Sequence, residues 1–330
     1  MRAIGLWARL CAFCAILVVA ALSAGPSQAA DNYPVRKVRV IVPFAAGGPT
    51  DVIARMVAER LSEAWGQPLY VENIPGAGGN LGVEIAGRVE PDGYTILVVS
   101  TGFIINPSMY SKIGYDPVKD FAPISLVTAS PNVVTAHPSL AAKNLKELIE
   151  LIKANPGKYS FAQPATGSTP HLAGELFKHR AGIEITHVLY RGANQGLMSD
   201  FLAGRLDLML NTTGSLLEAV RSKQVRGLAV TSANRFPDEP ELPTAAESGV
   251  PGYDVSSWYA IYVPAKTPAE IIAKVNADMA AILNDTAAKE RFKLLGVLPR
   301  GSTPAELAAM NVADAALWGP IIKEANIKVE

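Results

Sequence analysis

The chain has 330 residues, with 30 Lys+Arg against 30 Asp+Glu and 49% hydrophobic residues. No basic run interrupts that balance, so nucleic acid is not expected as a partner, and apolar content on this scale can build two ordinary cores. The only two cysteines, Cys11 and Cys14, lie in an apolar N-terminal stretch, which excludes disulfide frameworks, thiolate metal sites and cysteine nucleophiles from the remainder.

Residues 1–29 read as an export signal. Arg2 and Arg9 make a basic start, Leu10–Leu22 is apolar but short for a permanent span, and Ser27 and Ala29 are the small residues a signal peptidase recognises. There is no twin-arginine pair and no cysteine beside the cleavage site to carry a lipid. Cleavage after Ala29 is therefore expected to release a periplasmic chain without an anchor. Losing Arg2 and Arg9 leaves 28 basic residues against 30 acidic ones, a net charge of −2.

Val38–Val42 is a β-branched run of strand length. The turn Pro43–Pro49 carries Gly47 and Gly48, and a helix is predicted after it. Its cap is expected at Thr50 or Asp51, and Val52, Ile53, Met56, Val57 and Leu61 keep helical spacing. A strand, a glycine turn and a helix start leave backbone N–H groups unpaired at the positive end of a helix dipole, a general receptor for anions. A plain βα connection would read the same way. Pro68–Asn73 is a second strand, Ile74–Gly82 a glycine-rich loop, Val83–Val89 a short helix and Tyr94–Ser100 a third buried strand. The alternation implies parallel βαβ units. In the glycine-rich loop Leu81 stands where the third glycine of a dinucleotide fingerprint belongs. Gly78 and Gly79 are read instead as a turn lining a cleft. Thr101–Phe121, with Asn106-Pro107, is expected to be a loop.

Ile124–Ala136 is a long extended run broken at Ser130-Pro131, and Gly252–Pro264 mirrors it late in the chain. Between them lies a self-contained α/β set. Its strands are predicted at Tyr159–Ala162, His187–Tyr190, Leu206–Asn211 and Val225–Thr231, and its helices at Leu145–Ala154, Leu172–Ala181, Gln195–Ala203 and Ser215–Ser222. Pro268–Leu283, Ala287–Leu295 and Thr303–Ala325 are read as closing helices, two of them opened by Thr-Pro signals. The chain thus leaves one domain near 130 and returns near 255. Two crossings make a hinge, with a ligand cleft at it.

Thr166-Gly167-Ser168-Thr169-Pro170-His171 is the counterpart of Ala46–Asp51 in the second domain: a strand end, a glycine, hydroxyls and a helix start. An acid between the two loops would receive N–H groups from both sides, although two ordinary helix caps would look alike in sequence. His171 is placed at that helix start, as a site residue or as a surface cap. Arg191, after Tyr190, is the best cation in this half; it is suited to a bidentate carboxylate contact or to a salt bridge with Asp200 or Asp207. The four histidines form no H-x-x-x-H pair, and no G-x-S-x-G or Walker loop is present. The chain offers binding chemistry, with no catalytic residue, metal or cofactor expected.

The ordered segments PVRKVRVIVPFAAGGPTDVIAR, VENIPGAGGNLGVEIAGRVEPDGYTILV, YDPVKDFAPISLV, ATGSTPHLAGELFK, HVLYRGANQG and YAIYVPAKTP resemble the Bug family, the periplasmic receptors of tripartite tricarboxylate transport systems. The resemblance covers nearly all of the chain after residue 30. It implies an α/β, two-domain periplasmic binding protein fold with two interdomain crossings, type II-like, and a ligand cleft at the hinge. It also implies carboxylate recognition by Phe44, Ala45, Ala46, Gly47, Gly48, Thr50 and Asp51 facing Thr166, Gly167, Ser168, Thr169 and His171, partly through backbone N–H groups and ordered water. Gly78, Gly79, Gln163, Tyr190 and Arg191 complete the expected site. Gln163-Pro164 and Leu189 depart from residues common in the family. The ligand therefore need not be citrate, aspartate or glutamate, and aromatic and straight-chain dicarboxylates stay open.

The expectation is a monomeric solute receptor, and not an enzyme, that delivers a small organic acid to the membrane subunits of a secondary transporter. Residues 30–130 with 256–330 would form one domain and 131–255 the other. An α/β enzyme acting on a small acid, or a sensory subunit for the same ligand, are the alternatives.

Overall fold

In the computed structural model of the chain, residues 32–164, 166–190 and 194–329 are described. The expected export signal and Arg191 lie outside them. The strands are β1 (Val38–Val42), β2 (Leu69–Asn73), β3 (Thr95–Ser100), β4 (Phe121–Ala136), β5 (Ser160–Gln163), β6 (Thr186–Leu189), β7 (Leu208–Thr212), β8 (Arg226–Val230), β9 (Ser256–Pro264) and β10 (Leu298–Pro299). The helices are α1 (Pro49–Trp65), α2 (Asn80–Gly87), α3 (Gly102–Met109), α4 (Leu145–Lys153), α5 (Thr169–Ala181), α6 (Asn194–Leu202), α7 (Thr213–Arg221), α8 (Ala269–Asn284), α9 (Thr286–Leu294) and α10 (Pro304–Glu324).

The sheet runs β2-β1-β3-β9-β4-β7-β5-β6, with β8 and β10 also paired to β4. Strands β1, β2 and β3 are parallel, as are β5, β6 and β7, which fits βαβ units in each half. The two sets are joined through β4 and β9, antiparallel to each other. Strand β4 changes partner in mid-course: Phe121–Pro131 pairs with β9, and Asn132–Ala136 pairs with β7 and β8. Pro131, which has no N–H to give to a ladder, sits where the partners change. The next N–H, of Asn132, donates to the Thr231 hydroxyl at 2.8 Å.

Side-chain alternation decides the cores. In the first half Val40, Val42, Ile96 and Ile261 face α1 and α8, while Ile41, Leu97 and Tyr262 face the opposite way, with Phe103. In the second half Val134, Leu208 and Leu210 pack with Leu172 and Leu176 of α5, and Val133, Met209 and Val230 pack with Leu197 and Leu216. Helix α10 ties both halves, with Leu307 in a first-half core and Trp318 and Ile322 in a second-half one.

Two expectations are corrected. The cap of α1 is Gly48, with Pro49 in the first turn, where its missing N–H costs nothing. Thr50 and Asp51 already lie inside the helix. Residues 102–109 form α3 although Pro107 lies within it. The bond that Pro107 cannot make leaves the Phe103 carbonyl free, and the Tyr115 hydroxyl donates to it at 3.2 Å.

Candidate functional site

A cavity of about 560 Å³ lies between the halves and is lined from both, with Ser130, Ser257 and Tyr259 of the connecting strands among its walls. Four helices begin at it. Gly47 and Pro49 bring the start of α1, Thr101 and Gly102 that of α3, Ser168 and Thr169 that of α5, and Thr212, Gly214 and Ser215 that of α7. Each start adds a fraction of a positive charge and orphan N–H groups. Ser100, Thr166 and Asn106 add polar side chains; Phe44, Val52, Ile53, Met109, Leu295, Val297 and Val329 make an apolar wall. No Asp, Glu, Lys, Arg or His lines the cavity among the described residues.

The α1 loop is held from behind by Asp51, which is 2% exposed. Its carboxylate accepts from the Gly47 N–H at 2.8 Å, from Asn73 Nδ2 at 2.8 Å and from Arg55 Nε at 2.9 Å. Burial pushes the Asp51 carboxyl up, but the Arg55, Gly47 and Asn73 donors outweigh it and hold the group below the usual carboxylate range. Arg55 neutralises the charge, so the helix start keeps its positive character. The Gly48 N–H turns inward to the Ala45 carbonyl at 3.4 Å. The N–H groups of Thr50 and Asp51 in the first turn have no acceptor among the described residues.

The α5 loop is also backed by the protein. The Gly167 N–H donates to His171 Nδ1 at 3.0 Å, and the His171 N–H to the Ser168 hydroxyl at 3.4 Å. Gly167 has φ +74°, and an added Cβ would lie 2.6 Å from Met109 Sδ across the cavity. The two halves are therefore in contact at this point. At the α7 start the Thr212 N–H donates to Asn211 Oδ1 at 2.9 Å, which fixes the amide. Asn211 Nδ2 is left buried beside the cavity without a partner among the described residues. An orphaned buried donor of this kind is destabilising until something accepts from it.

Of the sequence-predicted residues, Phe44, Gly47, Gly78, Thr166, Gly167, Ser168 and Thr169 line the cavity. Ala45, Ala46, Gly48, Thr50, Asp51, Gly79, Gln163, His171 and Tyr190 do not. Gln163 and His171 are buried behind the α5 loop, and the Tyr190 hydroxyl donates to Asp200 at 2.7 Å. Sequence reasoning missed Thr101, Asn106, Ser130, Asn211, Thr212, Ser215 and Ser257. One signal was available. Asn211-Thr212-Thr213-Gly214-Ser215 repeats the strand, hydroxyl, glycine and helix pattern of the α5 loop.

Comparison with known proteins bears on this cavity. Residues 53–327 match the model of the tripartite tricarboxylate transporter family receptor. The chain is similar to protein BugT of Bordetella pertussis, 35% identical over 324 residues that cover 98% of this chain and 99% of BugT. Among solved structures it resembles R. palustris Rpa4515 with adipate, at 35% identity and TM-score 0.77, over 90% of this chain and 99% of that one. It also resembles MatC of Rhodopseudomonas palustris with bound malate, at 30% identity and TM-score 0.72, over 88% and 100%. The likeness extends to the two-domain fold of periplasmic binding proteins.

Proposed function

The chain belongs to the tripartite tricarboxylate transporter receptor family, and from that premise we propose that it is a periplasmic receptor whose cleft closes on a small dicarboxylic acid. The observation that carries the ligand class is the convergence of four helix starts on a cavity whose lining has no Asp, Glu, Lys, Arg or His among the described residues. Such a site receives anionic oxygens through N–H groups, hydroxyls and amides. Each helix start contributes up to about 2 kcal/mol in partly buried geometry, and hydrogen bonds to a charged group about 1.5–3 kcal/mol each. The apolar wall favours an acid whose two carboxylates are separated by methylene groups. Adipate in Rpa4515 and malate in MatC, in proteins of similar sequence, support the class.

The acid is bound without being altered, a reading supported by the match to a receptor family. Residues 30–130 with 256–330 form one domain and 131–255 the other; the change of partner after Pro131 and the start of β9 at Ser256 support these limits. An acid touching both domains favours the closed form by the contacts available only there. The closed receptor then meets the membrane subunits of its transporter as a monomer. Among the described residues no helix is long and apolar enough to cross a membrane.

A thermal-shift screen of mono-, di- and tricarboxylates tests the reading. Straight-chain dicarboxylates should rank first, and mass spectrometry should recover the acid unchanged after long incubation. A folded protein whose melting temperature no acid raises, or one that converts the acid, would refute it.

A further inference from the structure

Behind the α5 loop lies a buried polar cluster that has no place in the cavity. His171 and Glu175 are four residues apart and share one face of α5, and His187 reaches them from β6. Gln163, at the end of β5, donates from Nε2 to the Pro170 carbonyl at 3.2 Å. Its Oε1 therefore faces His187 Nδ1 at 2.7 Å, and that nitrogen must carry the proton. His187 Nε2 then carries a lone pair, 3.4 Å from Glu175 Oε1 and without a hydrogen-bond partner among the described residues. His171 has the opposite tautomer. Its Nδ1 accepts the Gly167 N–H, so its proton sits on Nε2, 3.7 Å from the same Glu175 oxygen.

Three ligand atoms within 4.8 Å of one another look like a metal site. The His171 ring argues otherwise. A neutral imidazole has one lone pair, and here it is committed to Gly167. Giving Nε2 to a cation as well would require a ring with no proton, or loss of the Gly167 bond. The Gly167 N–H on Nδ1 places the His171 proton on Nε2, and the Glu175 carboxylate, 3.7 Å away, favours it there by charge.

We propose that His171, held in its Nε2–H tautomer by Glu175, is a positioning residue for the ligand: its Nδ1 fixes the Gly167 peptide and so the direction in which the Thr166–Thr169 loop faces the cavity. The proposal rests on the reading of the cleft as the ligand site. Ser168 is tied to α5 by the Leu172 N–H on its carbonyl and the His171 N–H on its hydroxyl. Gly167, in a left-handed conformation, is tied among the described residues by its N–H bond to His171, which sets how its peptide is turned.

The test separates this role from plain packing. His171→Asn puts an amide oxygen near the Nδ1 position and keeps an acceptor for Gly167, whereas His171→Gln reaches only towards Nε2. Both lose the ring, and ligand-free melting curves compare what each loses in packing. With adipate as the probe, the Asn variant should bind within about threefold of the parent, and the Gln variant should lose tenfold or more. In the ligand-free parent, imidazole ¹⁵N shifts should show Nδ1 unprotonated and Nε2 protonated on His171. Equal affinity of the two variants, a proton on Nδ1 of His171, or stoichiometric Zn²⁺ binding that raises the melting temperature would overturn the proposal. A parent that binds no acid is a failure of the cleft reading, and the ring-nitrogen spectrum still decides the tautomer.

Discussion

Asn211 shows how much of the site is decided by single side chains. Its Oδ1 is engaged by Thr212 and its Nδ2 waits in a buried position at the cavity, so a ligand oxygen there removes an existing penalty. Asn211→Ala should weaken acid binding by about 1.5–3 kcal/mol, a factor of roughly 10 to 150, measured by calorimetry. A ligand-free melting curve separates this from the lost Thr212 bond. His187 gives a second prediction. Burial, with His171 and Lys178 adding to it against the opposing charge of Glu175, lowers its pKa to about 4. In the unfolded chain it titrates near 6.5, so the unfolded state binds more protons between those values. Stability is then lost as pH falls from about 6.5 to about 4, by up to about 3 kcal/mol. His187→Asn keeps a donor toward Gln163 and should flatten that part of the melting-temperature profile; an unchanged slope would remove His187 as its cause. The sequence placed His171 correctly at a helix start. It did not disclose the cluster, because His187 reaches it only through the β5–β6 register, from sixteen residues away.

At the scale of elements, the loops before α1 and α5 look alike in sequence and differ in surroundings. Gly47 has φ +81° with nothing within 4 Å of an added Cβ, and Gly167 has φ +74° with Met109 in the way. Gly47→Ala should therefore cost only the left-handed conformation, about 1–2 kcal/mol by chemical denaturation. Gly167→Ala should cost that plus about 1–3 kcal/mol of overpacking, and weaken acid binding by separating the halves. Met109→Ala added to it should restore the steric part alone. If Gly167→Ala binds as the parent does, the contact across the cleft is not part of closure. Strand and helix positions other than the two-residue β10 were legible from apolar period and Thr-Pro or glycine punctuation, with ends displaced by up to four residues. Helix α3 was not, because Asn106-Pro107 reads as a break and the compensation comes from the distant Tyr115 hydroxyl. Since the start of α3 is one of the four at the cavity, the sequence reading found only two helix starts and missed half of the positive ends.

The whole molecule is two α/β halves held by β4 and β9 and tied again by α10. The crossings were visible in sequence as two long apolar runs, one interrupted by proline, since such a strand can be buried throughout only if it belongs to both halves. The tie made by α10 was not visible: its apolar residues face two cores in succession, and no single helical stripe records that. The proposed closure on a ligand is supported by a cavity with walls in both halves and helix starts from both. The most direct measurement is a crystal structure with the acid that ranks first in the thermal-shift screen. Its carboxylates should lie between the starts of α1, α3, α5 and α7, with Asn211 Nδ2 donating to its oxygens directly or through water. An acid held instead at Arg191, or bound outside this cavity, would contradict the account.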